Sequence, residues 1–269
     1  MDINMHFVKR KGPTSMIGIK RETIAHIPAL MIEDSRKEGQ PLPVITYIHG
    51  ITSAKEQNLP LAFLLAEKGY RVILPDCYLH GERAEGLSNQ EISYKLWEVV
   101  LQNLKELPML YQELQAQNLI LDDKFGLAGT SMGGITTSAA LTQYDWIKVA
   151  AVLMGSPQPV RFAEEQVAML KQMEVDVPLT EEEQQKLIRS LEKIDLSKQV
   201  DKLVGRPIFF WHGEEDQVVP FDHSYSFYND AISHYKNPEN IRFLREVGRD
   251  HKVSLYAIHE TVNWFDLHM

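Results

Sequence analysis

The sequence predicts an α/β protein with a mostly parallel central sheet and helices on both faces. Short apolar runs rich in β-branched and aromatic residues alternate along the chain with longer amphipathic stretches. Such alternation implies crossover connections, which join parallel strands. The length of 269 residues suits a single large domain that buries its core without disulfides or a structural metal.

The composition is that of an acidic globular protein with a net charge of −9. Its Lys and Arg residues are scattered, so we expect no nucleic-acid partner. The first residues, MDINMHFVKRKG, contain no apolar stretch typical of a signal peptide, and no run in the chain approaches the length of a membrane span. Cys77 is the single cysteine, which excludes an intrachain disulfide and fits a reducing compartment. We therefore expect a cytoplasmic protein without a membrane partner.

The first third of the chain contains two clear strands and one helix. Residues 44–48 are predicted to form a buried strand that leads into a loop at 49–53. A helix follows over about 59–68, and residues 71–74 form the next strand. The first forty residues carry no helix signal, so we expect them to supply one or two antiparallel edge strands.

A long amphipathic helix is predicted next. Residues 88–91 (SNQE) have the form of a capping box, and apolar residues recur every four positions from Ile92 to Leu104. Pro108 lacks a backbone N–H and is predicted to end or kink this helix.

The second half of the chain returns to the strand–helix pattern. Four further strands are predicted at 125–128, 149–154, 207–211 and 241–247, and a last helix at about 252–267.

Residues 157–204 interrupt this alternation. They contain no clear strand, and residues 180–183 (TEEE) form a second capping box. A connection of about 48 residues is far longer than usual. Either two connecting helices lie on a face of the sheet, or a helical cap covers a site. We favour the cap, and expect one domain over residues 1–269 with a helical cap insertion at 157–204.

Ser131 is the candidate nucleophile, in the segment GTSMG at 129–133. A serine hydroxyl needs a neighbouring base and an exposed position to act as a nucleophile. The G-x-S-x-G pattern provides exposure when it forms a sharp turn between a strand and a helix. Residues 125–128 are predicted to form the strand before the serine, and the residues after it are predicted to form a helix that extends to about Tyr144. The alternative is a glycine-rich turn that merely lets a helix pack closely.

The acid is expected directly after a late strand, in the chain order Ser, acid, His. Glu214, Glu215 and Asp216 compete in the loop after the strand at 207–211. Asp216 lies in the turn and is followed by an apolar pair that can anchor it, so we prefer it. The two glutamates are expected on a solvated face of the loop.

The base must be a histidine downstream of the acid. The candidates are His223, His234, His251, His259 and His268. His251 alone lies in a loop directly after an apolar strand, and the neighbouring Asp250 is expected to be solvated. We therefore predict that Asp216 orients His251, which takes the proton of Ser131 and later returns it to the leaving group.

Two backbone amides are expected to form the oxyanion hole. One is the N–H of Met132, directly after the nucleophile, and the other is the N–H of Ile51, in the loop after the first clear strand. Gly50 would let this loop approach closely. His49 is expected to be a buried histidine that holds the loop by a hydrogen bond.

Three segments together resemble a known family. Residues 49–56 (HGITSAKE), 75–83 (PDCYLHGER) and 129–134 (GTSMGG) are similar to bacterial esterases of the prolyl oligopeptidase and dienelactone hydrolase branch of the α/β-hydrolases, including small carboxylesterases of the YitV and YjfP type. The resemblance runs from the first clear strand to His251. It implies an α/β-hydrolase fold and hydrolysis of carboxylic esters through an acyl-enzyme, without a cofactor or metal.

The chain departs from parts of that branch. Dienelactone hydrolases have a cysteine nucleophile where this chain has Ser131, which argues against dienelactone as the substrate. Peptidase relatives carry a large propeller domain that 269 residues cannot hold. Cys77 is expected to be an ordinary, partly buried thiol. Arg83 either contacts an acidic substrate or pairs with Glu82 or another loop carboxylate.

Three hypotheses for function remain. The first is a carboxylesterase that acts on small-molecule acyl esters, and the second is a small-peptide or amide hydrolase with the same triad. The third is a non-catalytic ligand-binding protein of the same fold, which has no need of a complete Ser131, Asp216 and His251 set. The sequence does not predict the natural substrate or the oligomeric state.

Overall fold

The computed structural model describes residues 16–175 and 177–269, which are built around an eight-stranded sheet. The strands are β1 (Ile17–Ile24), β2 (Ile27–Asp34), β3 (Leu42–Ile48), β4 (Arg71–Pro75), β5 (Ile120–Thr130), β6 (Val149–Leu153), β7 (Ile208–Gly213) and β8 (Ile241–Glu246). The α-helices are α1 (Leu59–Glu67), α2 (Asn89–Tyr94), α3 (Leu96–Ala116), α4 (Met132–Gln143), α5 (Pro159–Gln172), α6 (Glu181–Glu192), α7 (Phe221–Ala231) and α8 (Leu255–His268).

The sheet is mostly parallel. Its strand order is β1-β2-β4-β3-β5-β6-β7-β8, and only the pairings of β2 with β1 and with β4 are antiparallel. The α/β class is thus confirmed. Of the antiparallel strands expected from the first forty residues, β1 lies at the edge of the sheet and β2 lies between β1 and β4. Because β3 to β8 run in one direction, the loops that follow β3, β5, β7 and β8 leave the same edge of the sheet.

Helices cover both faces of the sheet. Along β7, Ile208 and Phe210 point into one apolar cluster and Phe209 and Trp211 into the other, as the two-residue period of a strand requires. The first cluster also contains side chains of α3, α4, α5 and α7. The second is completed by α1 and α8. Within the described part of the chain, no helix combines the length and apolarity needed to cross a membrane.

Of the two outcomes expected at Pro108, an end of the long helix is not found, and a kink there stays a prediction. The predicted helix divides at Lys95 into α2 and α3, and α3 continues through Pro108 to Ala116. A proline cannot donate to the carbonyl four residues earlier, which here is Leu104. Tyr144 Oη donates to that carbonyl instead, at 2.6 Å. The free acceptor therefore has a partner from outside the helix.

The 157–204 segment contains two α-helices, α5 and α6. The predicted capping boxes at 88–91 and 180–183 are both present, at the starts of α2 and α6. Phe162 of α5 packs edge-to-face on Trp97 of α3 at 5.8 Å, and Trp97 Nε1 donates to Gln166 Oε1 at 3.0 Å. Leu191 of α6 is buried in the same cluster. The segment begins just beyond the carboxyl end of β6, next to β5. Its role as a cap stays a prediction.

Candidate active site

Ser131 lies in a strained turn between β5 and α4. Its φ of 54° and ψ of −115° fall outside the regions that non-glycine residues usually adopt, and such strain is typical of functional sites. Its backbone N–H donates to the Leu153 carbonyl at 2.9 Å. A Cβ at Gly133 would collide with the Ile48 carbonyl, and one at Gly129 would collide with the Gly133 backbone. Glycine is therefore required on both sides of the serine.

The structure brings Ser131, His251 and Asp216 together in one hydrogen-bonded chain. Ser131 Oγ donates to His251 Nε2 at 2.8 Å, and His251 Nδ1 donates to Asp216 Oδ2 at 2.7 Å. The Asp216 side chain is fully buried, whereas the His251 side chain is 20% exposed. This arrangement lets the imidazole accept the serine proton on one nitrogen while the carboxylate holds the other.

Asp216 accepts four hydrogen bonds. The N–H groups of Val218 and Val219 donate to Oδ1 at 2.8 and 2.9 Å, so the apolar pair anchors the acid through its backbone. His212 Nε2 donates to Oδ2 at 3.0 Å, beside His251. Burial alone would raise the pKa of Asp216, but the hydrogen bonds from His212 and His251 outweigh it and hold that pKa well below the usual range. The carboxylate is therefore ionised near neutral pH.

The competing acids have other surroundings. Glu214 pairs with Arg245 at 3.3 Å, and Glu215 and Asp250 are exposed. Among the other histidines, His234 and His259 are exposed as expected.

His223, which is completely buried, belongs to a separate network between the insertion and α7. Its Nε2 donates to Glu165 Oε2 at 2.7 Å, and its Nδ1 accepts from Ser156 Oγ at 3.0 Å. These contacts join α5 to α7.

The loop after β3 lies directly against the nucleophile. A Cβ added to Gly50 would stand 3.6 Å from Ser131 Cβ, which is an ordinary van der Waals contact, so the loop is adjacent to the serine but this spacing does not require glycine. Met132 is the first residue of α4, where backbone N–H groups have no partner within the helix. The roles of Ile51 and Met132 as oxyanion donors stay predictions.

His49 holds this loop as expected. Its Nδ1 donates to the Gly50 carbonyl at 2.8 Å, and its Nε2 accepts from the Cys77 N–H at 3.1 Å. Burial lowers the pKa of His49 to about 4, so the ring is neutral near neutral pH. The loops after β3 and β4 are therefore joined through an uncharged imidazole.

Ion pairs join the loop at 75–83 to other parts of the chain. Arg83 forms a bidentate pair with Glu106 of α3, at 2.7 and 2.6 Å. Of the two expectations for Arg83, pairing with a carboxylate is the one found, although the carboxylate lies on a helix. Lys55 donates to Asp76 at 2.5 Å and to Glu82 at 2.8 Å. These contacts hold the loop against α3 and against the 3₁₀ helix Lys55–Asn58 that precedes α1.

Cys77 is more deeply buried than expected. Its side chain is 2% exposed, and burial raises the pKa of the thiol far above its usual value. The thiol is therefore protonated and has the inert character of a buried cysteine.

Sequence reasoning missed Lys55, His80 and His212. His212 offered a weak signal, since it is the polar residue near the end of β7, directly before the acidic loop. Within residues 16–175 and 177–269, no group of three or more His, Cys, Asp or Glu side chains is arranged to hold a metal ion.

Comparisons with known proteins agree with this geometry. The prolyl oligopeptidase family model matches residues 59–269. The chain is 42% identical to "Putative esterase YitV" of Bacillus subtilis, over 94% of this chain and all of the relative. It is 27% identical to "Esterase YjfP" of Escherichia coli, with the same coverage. The fold is shared with TT1662 from Thermus thermophilus, at a TM-score of 0.72 and 19% identity, over 94% of this chain and 98% of the other.

These matches confirm the resemblance inferred from the motifs. The chain therefore belongs to the prolyl oligopeptidase family, and it is a serine hydrolase with the α/β-hydrolase fold.

Proposed function

We propose that this enzyme is a carboxylesterase that cleaves small acyl esters through an acyl-enzyme on Ser131. The observation that carries the proposal is the chain of contacts from Ser131 Oγ to His251 Nε2 at 2.8 Å and from His251 Nδ1 to Asp216 Oδ2 at 2.7 Å. The relatives named as esterases in Bacillus subtilis and Escherichia coli support the choice of an ester bond.

In the first half of the reaction, Ser131 Oγ attacks the acyl carbon while His251 Nε2 takes the hydroxyl proton. The carbonyl oxygen becomes an oxyanion, which receives hydrogen bonds from the N–H groups of Ile51 and Met132. Asp216 stays ionised and stabilises the imidazolium. His251 then gives its proton to the alcohol oxygen as the carbon–oxygen bond breaks, which leaves the acyl group on Ser131.

In the second half, water replaces the alcohol. His251 takes a proton from the attacking water, and the same two amides stabilise the second oxyanion. When this tetrahedral intermediate collapses, the bond between the acyl carbon and Ser131 Oγ breaks, His251 returns the proton to Oγ, and the carboxylic acid is released. Every proton transfer uses His251 Nε2, so one histidine serves both halves.

We also propose that residues 157–204 are a cap over this site. The segment follows β6, whose Leu153 carbonyl accepts from the Ser131 N–H at 2.9 Å. It therefore departs from the sheet beside the nucleophile, at the edge where the other site loops lie. Contacts of Phe162 and Gln166 with Trp97 hold α5 against α3.

A second candidate is hydrolysis of small peptides or amides. It is favoured by one observation, the match to the prolyl oligopeptidase family. The same triad can protonate an amine leaving group, so the two candidates differ in the pocket and not in the chemistry.

The test begins with a fluorophosphonate probe on the purified protein and on Ser131→Ala. We expect labelling of the first and none of the second. Labelling that is unchanged in Ser131→Ala, or absent from both, would contradict a serine nucleophile and favour a binding protein. A panel of p-nitrophenyl esters and peptide anilides then compares kcat/KM. Faster turnover of the anilides would make the amide hydrolase the better assignment.

A further inference from the structure

His80 is a buried histidine that connects two loops near Ser131. It lies in the 75–83 loop after β4, and its side chain makes two hydrogen bonds. Its Nδ1 donates to the Tyr78 carbonyl at 2.7 Å, within its own loop. Its Nε2 accepts from the Thr52 N–H at 3.0 Å, in the loop after β3. Thr52 directly follows Ile51, the proposed oxyanion donor.

The two peptide planes on either side of Ile51 are each held by a histidine. His49 Nδ1 donates to the Gly50 carbonyl at 2.8 Å, which fixes the plane between Gly50 and Ile51. A trans peptide is planar, so the Ile51 N–H points opposite to that carbonyl. His80 fixes the next plane through the Thr52 N–H. The direction of the Ile51 N–H is thus set from both sides.

The local backbone shows why a second restraint is needed. Thr52 has a φ of 60°, a left-handed conformation that costs free energy for a β-branched residue. Left to itself, this residue would relax, and the peptide before it would rotate. Because His80 takes the Thr52 N–H, it stabilises the strained conformation.

The contact requires an uncharged His80 ring, since a protonated Nε2 cannot accept a hydrogen bond. The ring is 3% exposed and packs edge-to-face on the His49 ring at 5.1 Å. Asp76 and Arg83 are the charged groups that face it, and their effects on the pKa are opposite in direction. Burial is the largest influence and lowers the pKa of His80, so the ring is neutral near neutral pH.

We propose that His80 is a positioning residue for acyl transfer: by accepting the Thr52 N–H, it holds the Ile51 amide in the direction that receives the oxyanion. This inference rests on the proposed esterase function. It assigns a role in the reaction to the HGER motif at 80–83, which would otherwise serve only the packing of its loop.

The test compares His80→Leu, which removes the acceptor, with His80→Gln, whose side-chain oxygen can accept in place of Nε2. Loss of an oxyanion-hole donor lowers kcat by about 10²-fold or more, so we expect a loss of about that size in His80→Leu with little change in KM. His80→Gln should recover most of this loss. His234→Leu, at an exposed histidine, is the control and should match the wild type.

A second measurement keeps the proposal testable if His80→Leu does not fold. Nitrogen-15 NMR of the labelled wild-type protein near neutral pH reports which ring nitrogens carry protons. We expect a neutral His80 with its proton on Nδ1. A proton on Nε2, or an imidazolium, would overturn the proposal.

The kinetic outcomes separate the two proposals. If the wild type shows no ester hydrolysis that depends on Ser131, the esterase function is wrong and the role of His80 falls with it. If the wild type is active and His80→Leu keeps its kcat, or if His80→Gln is as slow as a well-folded His80→Leu, only the role of His80 is wrong.

Discussion

Lys55 Nζ lies 2.5 Å from Asp76 Oδ2, and both side chains are buried, with exposed fractions of 1% and 0%. The same Nζ reaches Glu82 at 2.8 Å. Removal of one partner from a buried pair leaves an uncompensated charge. We therefore expect Lys55→Met to lower the free energy of unfolding by about 3–5 kcal/mol, measured by urea titration.

The matched control for this prediction is Lys68→Met. Lys68 pairs with Asp266 at 2.6 Å, but both side chains are about half exposed. Solvent screens such a pair, so the loss should be under about 1 kcal/mol. Equal losses in the two variants would mean that burial does not strengthen the Lys55 pair.

Asp216→Asn should remove most of the activity and leave the fold intact. An amide at this position no longer holds His251 in the required tautomer or stabilises its imidazolium, and comparable changes lower kcat by about 10⁴-fold. Glu215→Gln, one residue earlier on an exposed side chain, should have kcat near that of the wild type. Ester turnover by both variants checks this. A comparable loss in Glu215→Gln would show that the acid is misassigned.

Gly133→Ala should destabilise the protein and abolish turnover. The added Cβ would collide with the carbonyl group of Ile48, which belongs to the backbone of β3 and cannot move freely. Overpacking of this kind costs about 3 kcal/mol. Gly39→Ala is the control, because its φ of +70° strains alanine while nothing lies within 4 Å. Its cost should be about 1–2 kcal/mol, with activity retained. Thermal unfolding and ester assays would distinguish the two effects, and an active Gly133→Ala would contradict the tight turn.

Stability should fall in mild acid through His49. Burial lowers the pKa of His49 from 6.5 to about 4 in the folded state. Between these two pH values, the unfolded chain binds more protons than the folded one. The contribution of His49 to the free energy of unfolding is therefore complete above the unfolded pKa and is lost as the pH falls towards the folded pKa. The full contribution is about 3 kcal/mol.

Urea titrations at neutral pH and near the folded pKa of His49 test this prediction against His49→Gln. The wild type should lose more stability than the variant on acidification, since glutamine does not titrate. The same loss in both proteins would assign the acid sensitivity to other groups.

Tyr144→Phe should destabilise α3 at Pro108. The tyrosine hydroxyl donates to the Leu104 carbonyl at 2.6 Å, and proline leaves this carbonyl without its helical donor. An unsatisfied acceptor costs about 1–3 kcal/mol. Tyr94→Phe, at an exposed tyrosine, should cost much less. Equal unfolding midpoints for the two variants would mean that water satisfies the carbonyl.

The sheet and the three residues Ser131, His251 and Asp216 could be predicted from local patterns in the sequence. Apolar runs indicate the strands, and Asp216 and His251 are predicted as site residues because each lies in the loop after a strand that ends at the same edge of the sheet. The alternation of strands and helices already implies parallel strands, and the carboxyl ends of parallel strands lie at one edge of the sheet.

The remaining features depend on pairs that local patterns do not contain. Lys55 and Asp76 are 21 positions apart, and Thr52 and His80 are 28 apart. Nothing near Lys55 indicates that its ammonium group will be buried, since lysine is rarely buried without a partner. The continuation of α3 through Pro108 could not be predicted for the same reason, because the Tyr144 hydroxyl that donates to the Leu104 carbonyl comes from the C-terminal end of α4.

The distance of 120 residues between Ser131 and His251 has a consequence during synthesis. At about 5–20 residues per second, a ribosome adds His251 roughly 6–24 s after Ser131. Until β8 joins the sheet and places His251, Ser131 lacks the base that the proposed mechanism requires. Under the proposed mechanism, Ser131 can therefore be acylated only once nearly all of the domain has been made.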